Sequence, residues 1–188
     1  MKSRARRSRG VTTSLTVPLS ARPISGSLDF DALYRATRDD LYAYVATVLR
    51  DPAAAEDVTA LTFERAMRRR RSYRPGRGSE RAWLFGIARN AALDELRRRR
   101  RTAPLEGDPP DAATPSPQDA AELAERRADV RAALATLEPR DREVIALKFH
   151  AGLSHAELAA VLGVSESNAG THLHRAMQRL RKACDATP

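Results

Sequence analysis

Apolar residues recur along most of this chain three or four positions apart, which is the spacing of one face of an α-helix. The first such segment covers residues 28–50, and Asp51 followed by Pro52 then supplies a helix cap and a first-turn proline. A second helix runs from there to a cluster of four arginines, and Ser79 caps a third helix that ends in a run of arginines. Because no segment alternates with the period of a β-strand, the pattern predicts an all-α chain.

A segment near the end of the chain predicts two helices joined by a tight turn. Ser154 and Glu157 have the spacing of a capping box at a helix start. Gly163 suits the left-handed position that ends a helix, and Ser165 can cap the helix that follows. This helix-turn-helix is the unit that places its second helix in the DNA major groove, so the pattern indicates DNA binding.

The chain divides into two small helical domains joined by a flexible linker, with the helix-turn-helix in the second domain. Residues 102–119 contain several prolines and no helical period, which is typical of a linker. Residues 1–26 are rich in Arg, Ser and Pro and are typical of a disordered basic arm. The two domains then cover residues 27–101 and 120–183, and residues 184–188 form a tail.

The charge of the chain is unevenly distributed. Its formal net charge is +9, from 33 Lys and Arg against 24 Asp and Glu. Residues 1–101 hold 23 basic and 11 acidic residues, whereas residues 120–188 hold ten and nine. Such an excess favours a polyanionic partner, with nucleic acid the first candidate and a membrane surface the second. We therefore expect each domain to make a nucleic-acid contact of a different character.

Other classes of protein lack support in the sequence. The single cysteine, Cys184, allows no disulfide within the chain, and no apolar run of about 18 residues or secretory signal is present, so we expect a cytoplasmic protein without membrane insertion. His172 and His174 lie two apart on a predicted helix and cannot chelate one metal ion. With no glycine-rich phosphate loop and no candidate catalytic group, we expect no enzyme activity, no cofactor, no metal and no small-molecule substrate.

The first domain contains the strongest candidates for contact with melted DNA. Its arginine clusters, Arg68–Arg71 and Arg97–Arg101, are denser than solubility requires and favour phosphate binding, although a solvated helix end is the alternative. Trp83 is either a core anchor or a partly exposed aromatic that helps to unstack a base. Asn90 and Asp94 share a helix face, where an asparagine either reads a base edge or makes a local bond.

Several segments together resemble the extracytoplasmic-function (ECF) class of bacterial sigma factors. The resemblance covers residues 28–183, and its most specific parts lie in the third helix of the first domain and at the start of the helix before the helix-turn-helix. The segments that carry it are Ala54–Val58, Thr62–Ala66, Arg81–Arg98, Leu137–Val144 and Leu173–Ala176, together with the helix-turn-helix.

The resemblance implies a protein that joins core RNA polymerase, reads two promoter elements and opens the DNA. The residues implied at the −10 element are Tyr73, Arg74, Arg77, Trp83, Arg89, Asn90, Asp94, Arg97 and Arg98. Those implied at the −35 element are Ser165, Glu166, Ser167, Asn168, Thr171, His172 and Arg175. Those implied at the polymerase surface are Glu56, Asp57, Thr62 and Arg65. Core polymerase and promoter DNA are the expected partners, and an anti-sigma protein is a further candidate.

Two departures from the family pattern bear on these contacts. Ala60 and Leu61 stand where the family usually has Gln-Glu in the docking helix. The predicted recognition helix contains Asn168–His172 where the family usually has Thr-Val-Lys-Ser-Arg, so two cationic positions are lost. Gly170 also lowers helix stability by about 1 kcal/mol relative to alanine. We expect an altered or weakened −35 preference.

Two other functions are compatible with a helix-turn-helix. One is a stand-alone transcription regulator, and the other is an RNA-binding or nucleoid protein that uses the basic first domain. A regulator normally carries a ligand-binding or dimerisation domain in place of the arginine-lined bundle that contains Trp83 and Asn90. A regulator should also bind its site specifically without polymerase, whereas a sigma factor of this class should depend on the core enzyme.

Overall fold

The computed structural model describes residues 28–102 and 121–186, which consist of helices and the turns between them. No strand lies in these two ranges, and the helices form two groups, so the predicted all-α class with two helical regions is confirmed. The predicted arm at 1–26, almost all of the predicted linker at 102–119 and the last two residues lie outside the described residues.

The helices are numbered in chain order. They are α1 (Phe30–Leu49), α2 (Pro52–Arg69), α3 (Glu80–Thr102), α4 (Ala121–Thr136), α5 (Pro139–Phe149), α6 (His155–Leu162) and α7 (Glu166–Asp185). Two short 3-10 turns, Arg70–Ser72 and Pro75–Arg77, connect α2 to α3. We call α1–α3 the first domain and α4–α7 the second domain.

Side-chain caps begin the helices of the first domain where the sequence predicts them. The Asp51 carboxylate accepts a hydrogen bond from the Ala54 N–H at 3.1 Å, and Pro52 occupies the first turn of α2. Ser79 Oγ accepts a hydrogen bond from the Ala82 N–H at 3.1 Å at the start of α3. These bonds satisfy backbone donors that a helix start leaves unpaired, and so they fix where each helix begins.

The helix-turn-helix is formed by α6 and α7. Ser154 and Glu157 make the predicted capping box at the start of α6. Gly163 follows α6 with a φ of 71°, in the left-handed region that glycine adopts without steric strain. Ser165 Oγ then accepts a hydrogen bond from the Asn168 N–H at 3.2 Å and caps α7. The recognition helix therefore starts where the sequence predicts.

Within each domain the helices pack against one another, and the two domains also contact each other. In the first domain α1, α2 and α3 pack pairwise, and Leu84 and Phe85 are fully buried between them. In the second domain α7 packs against α4, α5 and α6. Across the boundary α1 packs on α5 and α3 packs on α6, so that buried apolar residues of both domains form one cluster. The hydrophobic pattern did not indicate this contact.

Candidate nucleic-acid interface

A cleft of about 380 Å³ lies where the 3-10 turns meet α3 and α6. We call it the Tyr73–Trp83 cleft. The two rings are tilted by 55° with centroids 5.7 Å apart, and both side chains are half-buried. The other lining residues are Ser72, Arg74, Arg77, Gly78, Ser79, Ala82, Gly86, Asn90, Ala160 and Val161. Five of the residues that the family resemblance assigns to the −10 element therefore share this cleft.

The cleft combines groups of the kinds that can hold an unpaired nucleotide. Two aromatic rings provide faces for base stacking, the exposed Arg74 and Arg77 provide positive charge for phosphates, and the exposed Asn90 provides an amide for a base edge. The Tyr73 hydroxyl donates a hydrogen bond to the Gly78 carbonyl at 3.3 Å, which holds the turn closed. The sequence left open whether Trp83 is a core anchor or a partly exposed aromatic. In the structure it is both, since it packs on the core and also lines the cleft.

The arginines at the end of α3 are held by carboxylates on the same helix. Arg98 binds Glu95 through two nitrogens at 2.7 and 2.8 Å, and Arg97 binds Asp94 at 3.3 Å. Hydrogen bonds from Arg98 and Arg99 lower the pKa of Glu95 to about 2. Both Arg97 and Arg98 remain exposed, so their positive charge stays available to phosphates. Asp94 forms ion pairs rather than facing the cleft.

Arg89 lies at the domain boundary in this structure, although the sequence places it with the −10 residues. Its Nε is 2.9 Å from Glu143 Oε1 of α5, and the two side chains are 23% and 10% exposed. A carboxylate from the second domain thus neutralises Arg89 and covers it. With the domains in this arrangement, Arg89 is not presented to DNA.

The predicted polymerase surface is only partly exposed. Glu56 and Asp57 lie exposed on the first turns of α2. Arg65, half-buried, lies 3.6 Å from Asp94 of α3. Thr62 is fully buried, and its hydroxyl donates to the Val58 carbonyl at 2.7 Å. A buried hydroxyl cannot reach a partner, so in this structure Thr62 belongs to the packing of α2 rather than to a contact surface.

The start of α7 presents most of the predicted −35 residues to solvent. The exposed side chains are those of Ser165, Glu166, Ser167, Asn168, Thr171 and Arg175. His172 differs, because its Nε2 is 3.2 Å from the carboxylate of the buried Asp141 of α5. Arg179 also donates to Asp141, so one buried carboxylate holds α7 on α5 at two positions. His172 therefore helps to position α7 on α5 instead of extending into solvent with the other predicted −35 residues.

Sequence reasoning missed a set of polar contacts that join the two domains. Arg81 of α3 donates to Asp40 of α1 and, across the boundary, to the carbonyls of His150 and Ala151. Ser79 donates to Glu157 of α6. None of these pairs is close in sequence, so no local pattern predicts them. One sequence feature hints at a polar contact of α5: the charged residues 141–143 lie next to its apolar residues and are buried with them.

Comparison with known families matches both domains. A model described as Sigma-70 region 2 matches residues 33–102, and a model described as Sigma-70, region 4 matches residues 127–180. The ECF RNA polymerase sigma factor SigL of Mycobacterium tuberculosis is 35% identical over 156 residues, which cover 80% of this chain and 88% of SigL. The chain belongs to the ECF family of RNA polymerase sigma factors. In this sigma factor the Tyr73–Trp83 cleft lies mainly in region 2 and the helix-turn-helix lies in region 4.

Other relatives are longer than this sigma factor. ECF sigma factor SigE of Mycolicibacterium smegmatis is 34% identical over 156 residues, covering 81% of this chain but 60% of SigE. BldN of Streptomyces coelicolor is 34% identical over 168 residues, covering 87% of this chain and 64% of BldN. The chain thus spans less than two thirds of the length of these two relatives.

Solved structures share the fold. The sigma factor RpoE, solved in complex with the anti-sigma factor NepR from Bartonella quintana, superposes with a TM-score of 0.70 and 25% identity, covering 85% of this chain and 99% of that chain. CnrH, solved in complex with the cytosolic domain of CnrY, superposes with a TM-score of 0.62 and 27% identity, covering 85% and 89%. None of the helices described in this sigma factor has the length and apolar character that a membrane crossing requires.

Proposed function

We propose that this sigma factor binds core RNA polymerase, recognises −10 and −35 promoter elements and directs transcription initiation. The observation that carries the proposal is the Tyr73–Trp83 cleft, where aromatic rings, two arginines and Asn90 meet, and Asn90 belongs to the same helix as the exposed Arg97 and Arg98. This set suits an unpaired, extruded base better than a duplex, because stacking needs an open ring face. Promoter melting is therefore the task assigned to the first domain.

The proposal gives the DNA-binding residues distinct roles. Tyr73 and Trp83 stack on a base of the −10 element, Asn90 contacts its edge, and Arg74, Arg77, Arg97 and Arg98 bind the phosphates of the same strand. In the second domain, the exposed residues at the start of α7 enter the major groove of the −35 element. Asp141 binds His172 and so positions α7 from the side that packs on α5. On the proposed DNA-facing side, the exposed Arg175 supplies positive charge.

The polymerase contact is proposed for the exposed acidic start of α2. Glu56 and Asp57 present two carboxylates to a basic surface of the polymerase, and Arg65 lies further along the same helix. Ala60 is exposed and Leu61 is half-buried, so the family's usual Gln-Glu pair is replaced by apolar groups beside this surface. We expect the contact to rest on charge at Glu56 and Asp57.

The remaining roles follow from this assignment. RpoE was solved in complex with an anti-sigma factor, which supports an anti-sigma protein as a further partner of this chain. The sigma factor works in the cytoplasm, where polymerase and promoter DNA are found, and contributes binding rather than catalysis of its own. The domain boundaries proposed are 27–101 and 120–183, with residues 102–119 as the connection.

A transcription library tests the proposal and identifies the promoter in one experiment. Templates with random upstream sequence are incubated with bacterial core polymerase, with and without the sigma factor, and the 5′ ends of the transcripts are sequenced. We expect sigma-dependent starts that share two upstream elements. Transcripts with no shared element, or none that depend on the sigma factor, would contradict the proposal. Specific capture of one DNA sequence by the protein without polymerase would favour the stand-alone regulator.

A further inference from the structure

The apolar contacts of the recognition helix α7 do not by themselves fix its position. Its buried residues are Ala169, Leu173 and Ala176, and two of these have a single methyl group as side chain. Contacts between small apolar groups are non-directional, so a helix packed on them can rotate or slide slightly at low cost. Directional polar contacts are therefore needed to give α7 one position in the second domain.

Asp141 makes such contacts from the first turn of α5. Its side chain is 2% exposed, lies 3.2 Å from His172 Nε2 and accepts a hydrogen bond from Arg179. His172 and Arg179 are seven residues apart, so they lie on one face of α7 and about 10 Å apart along its axis. Because the two contacts engage α7 at two different turns, they fix both its rotation and its sliding on α5.

The start of α5 is itself anchored beside Asp141. Arg142 is buried, and its guanidinium donates to the carbonyls of Leu134 and Leu137 at 3.2 and 2.9 Å, at the end of α4. These bonds satisfy carbonyls that the end of a helix leaves unpaired. Since α5 is tied to α4 at the next residue, Asp141 is a fixed point against which α7 is placed.

Asp141 also limits the contacts that Arg179 can make. Arg179 lies one helical turn beyond Arg175, a residue of the proposed DNA-facing side, and its side chain is 57% exposed. An exposed arginine near DNA ordinarily binds a phosphate, which adds affinity for every sequence. The ion pair with Asp141 instead directs the Arg179 guanidinium to α5 and offsets its charge.

Resting on the function proposed above, we infer that Asp141 is a positioning residue that determines how strictly this sigma factor reads the −35 element. Through His172 and Arg179 it holds α7 in one orientation, so that the exposed residues at the start of α7 meet the bases in one register. It also keeps Arg179 from the phosphates, so that affinity depends less on contacts that every DNA sequence offers. Sequence discrimination thus depends on a buried carboxylate that touches no base.

Asp141→Asn tests the inference, because it keeps the shape of the side chain and removes the charge that holds Arg179. The holoenzyme is titrated with fragments of a promoter from the transcription library that carry either the native or a scrambled −35 element. The ratio of the two affinities should fall roughly tenfold, as expected for one charge-assisted hydrogen bond. Affinity for the scrambled fragment should rise, and its dependence of log K on log salt should steepen by about 0.9, because Arg179 gains a phosphate.

The matched control is Asp129→Asn, which removes the same charge from an exposed position of α4. A general loss of structure would lower affinity for both fragments without a steeper salt slope, so the two measurements separate positioning from stability. An unchanged ratio, or lower affinity for both fragments, would overturn the inference when the wild type still distinguishes them. If the wild type itself does not distinguish the two fragments, the proposed function fails instead.

Arg179→Gln provides an independent test that leaves Asp141 with His172. Because Arg179 is held on Asp141 and not on a phosphate, this variant alone should keep the salt slope of the wild type. Combined with Asp141→Asn, it should abolish the extra slope of that variant. Arg175→Gln is the comparison, since Arg175 is exposed on the proposed DNA-facing side and its loss should make the slope shallower by about 0.9. A shallower slope for Arg179→Gln alone would show that Arg179 already binds DNA and would overturn the inference.

Discussion

Asn90 stands at the rim of the Tyr73–Trp83 cleft with its side chain exposed, one helical turn before Asp94. Asp94 accepts a hydrogen bond from Arg97 and lies 3.6 Å from Arg65. Asn90 and Asp94 therefore have different roles, although they share a helix face. Asn90 is left as the polar group that can read a base, while Asp94 links the arginine-rich end of α3 to α2.

Replacement of Asn90 by alanine should lower the yield of open complexes and leave core binding unchanged. In the proposed function the Asn90 amide contacts a base of the melted strand. The exposed side chain makes no described contact with the core, so the fold should persist. Permanganate reactivity of promoter thymines measures opening, and co-elution with core polymerase measures docking. Gln178→Ala, which removes an exposed amide from α7, is the control. A fall in thermal stability that accounts for the lost opening would show that Asn90 serves the helix instead.

Replacement of Arg97 and Arg98 by alanine should weaken promoter complexes broadly across sequences. Both guanidiniums are exposed despite their pairs with Asp94 and Glu95, so each can contact a phosphate. The dependence of log K on log salt should become shallower by about 0.7–0.9 per lost phosphate contact. The matched control is the removal of Arg181 and Lys182, two exposed cations at the far end of α7. An unchanged slope in the α3 variant would mean that the arginine run is a solvated helix end.

At the scale of elements, the recognition helix shows the most unusual sequence. The mid-helix residue Gly170 is half-buried, and a Cβ at this position would lie 3.9 Å from the His155 ring of α6, which is an ordinary contact distance. No described neighbour therefore requires glycine here. The helix position is maintained from the other side, through His172, Arg179 and Asp141.

Gly170→Lys should bind −35-containing DNA more tightly in the holoenzyme and with a steeper salt dependence. The substitution raises helix propensity by up to about 1 kcal/mol and adds a cation near the DNA-facing side of α7. Gly170→Ala separates the two effects, because it raises helix propensity without charge and should leave the salt slope unchanged. Titration of fluorescent promoter fragments at several salt concentrations measures both. Weaker binding by the lysine variant would show that the interface needs the small residue for close approach.

The boundaries of the helices were predictable because each depends on neighbouring residues. Asp51, Ser154 and Ser165 cap helices through bonds to backbone groups three residues away, and Gly163 ends α6 through its own φ. Roles that depend on distant residues were not predictable. The periodicity of α2 cannot tell whether Thr62 faces the core or a partner, and nothing near His172 in the sequence reveals Asp141.

At the scale of the whole molecule, the contact between the two domains determines which charged side chains are exposed to a partner and which are paired within the chain. Arg81 and Glu143 look like surface charges in the sequence, and only the packing of α1 on α5 and α3 on α6 brings them to their partners. His150 is part of the same boundary, with its Nε2 3.2 Å from Thr47 Oγ1 of α1. Burial lowers the pKa of His150, and the nearby charge of Asp40 opposes that shift.

The contact between the two domains should weaken as the pH falls from about 7.5 to about 5.5. Burial at this contact favours neutral His150, whereas its pKa returns towards about 6.5 when the domains separate, so the separated form takes up the proton more readily. Glu157 stays ionised in this range because its hydrogen bonds with Ser79 and Ser154 lower its pKa. Trp83 is the single tryptophan of the chain and shares its cleft with Ala160 and Val161 of α6, so acrylamide quenching of its fluorescence reports separation of the domains. This quenching should therefore rise on acidification, and less so in His150→Gln. The exposed His174→Gln is the control, and an equal rise in all three proteins would place the titration elsewhere.

Footprinting of one promoter from the transcription library tests the central claim most directly. The sigma factor alone, core polymerase alone and both together are compared for protection of the −35 duplex and for permanganate reactivity of the −10 thymines. The account predicts protection and melting only when both proteins are present, because the proposed function assigns promoter recognition and melting to the complex of the sigma factor with core polymerase. Specific protection by the sigma factor alone, unaffected by core polymerase, would contradict it.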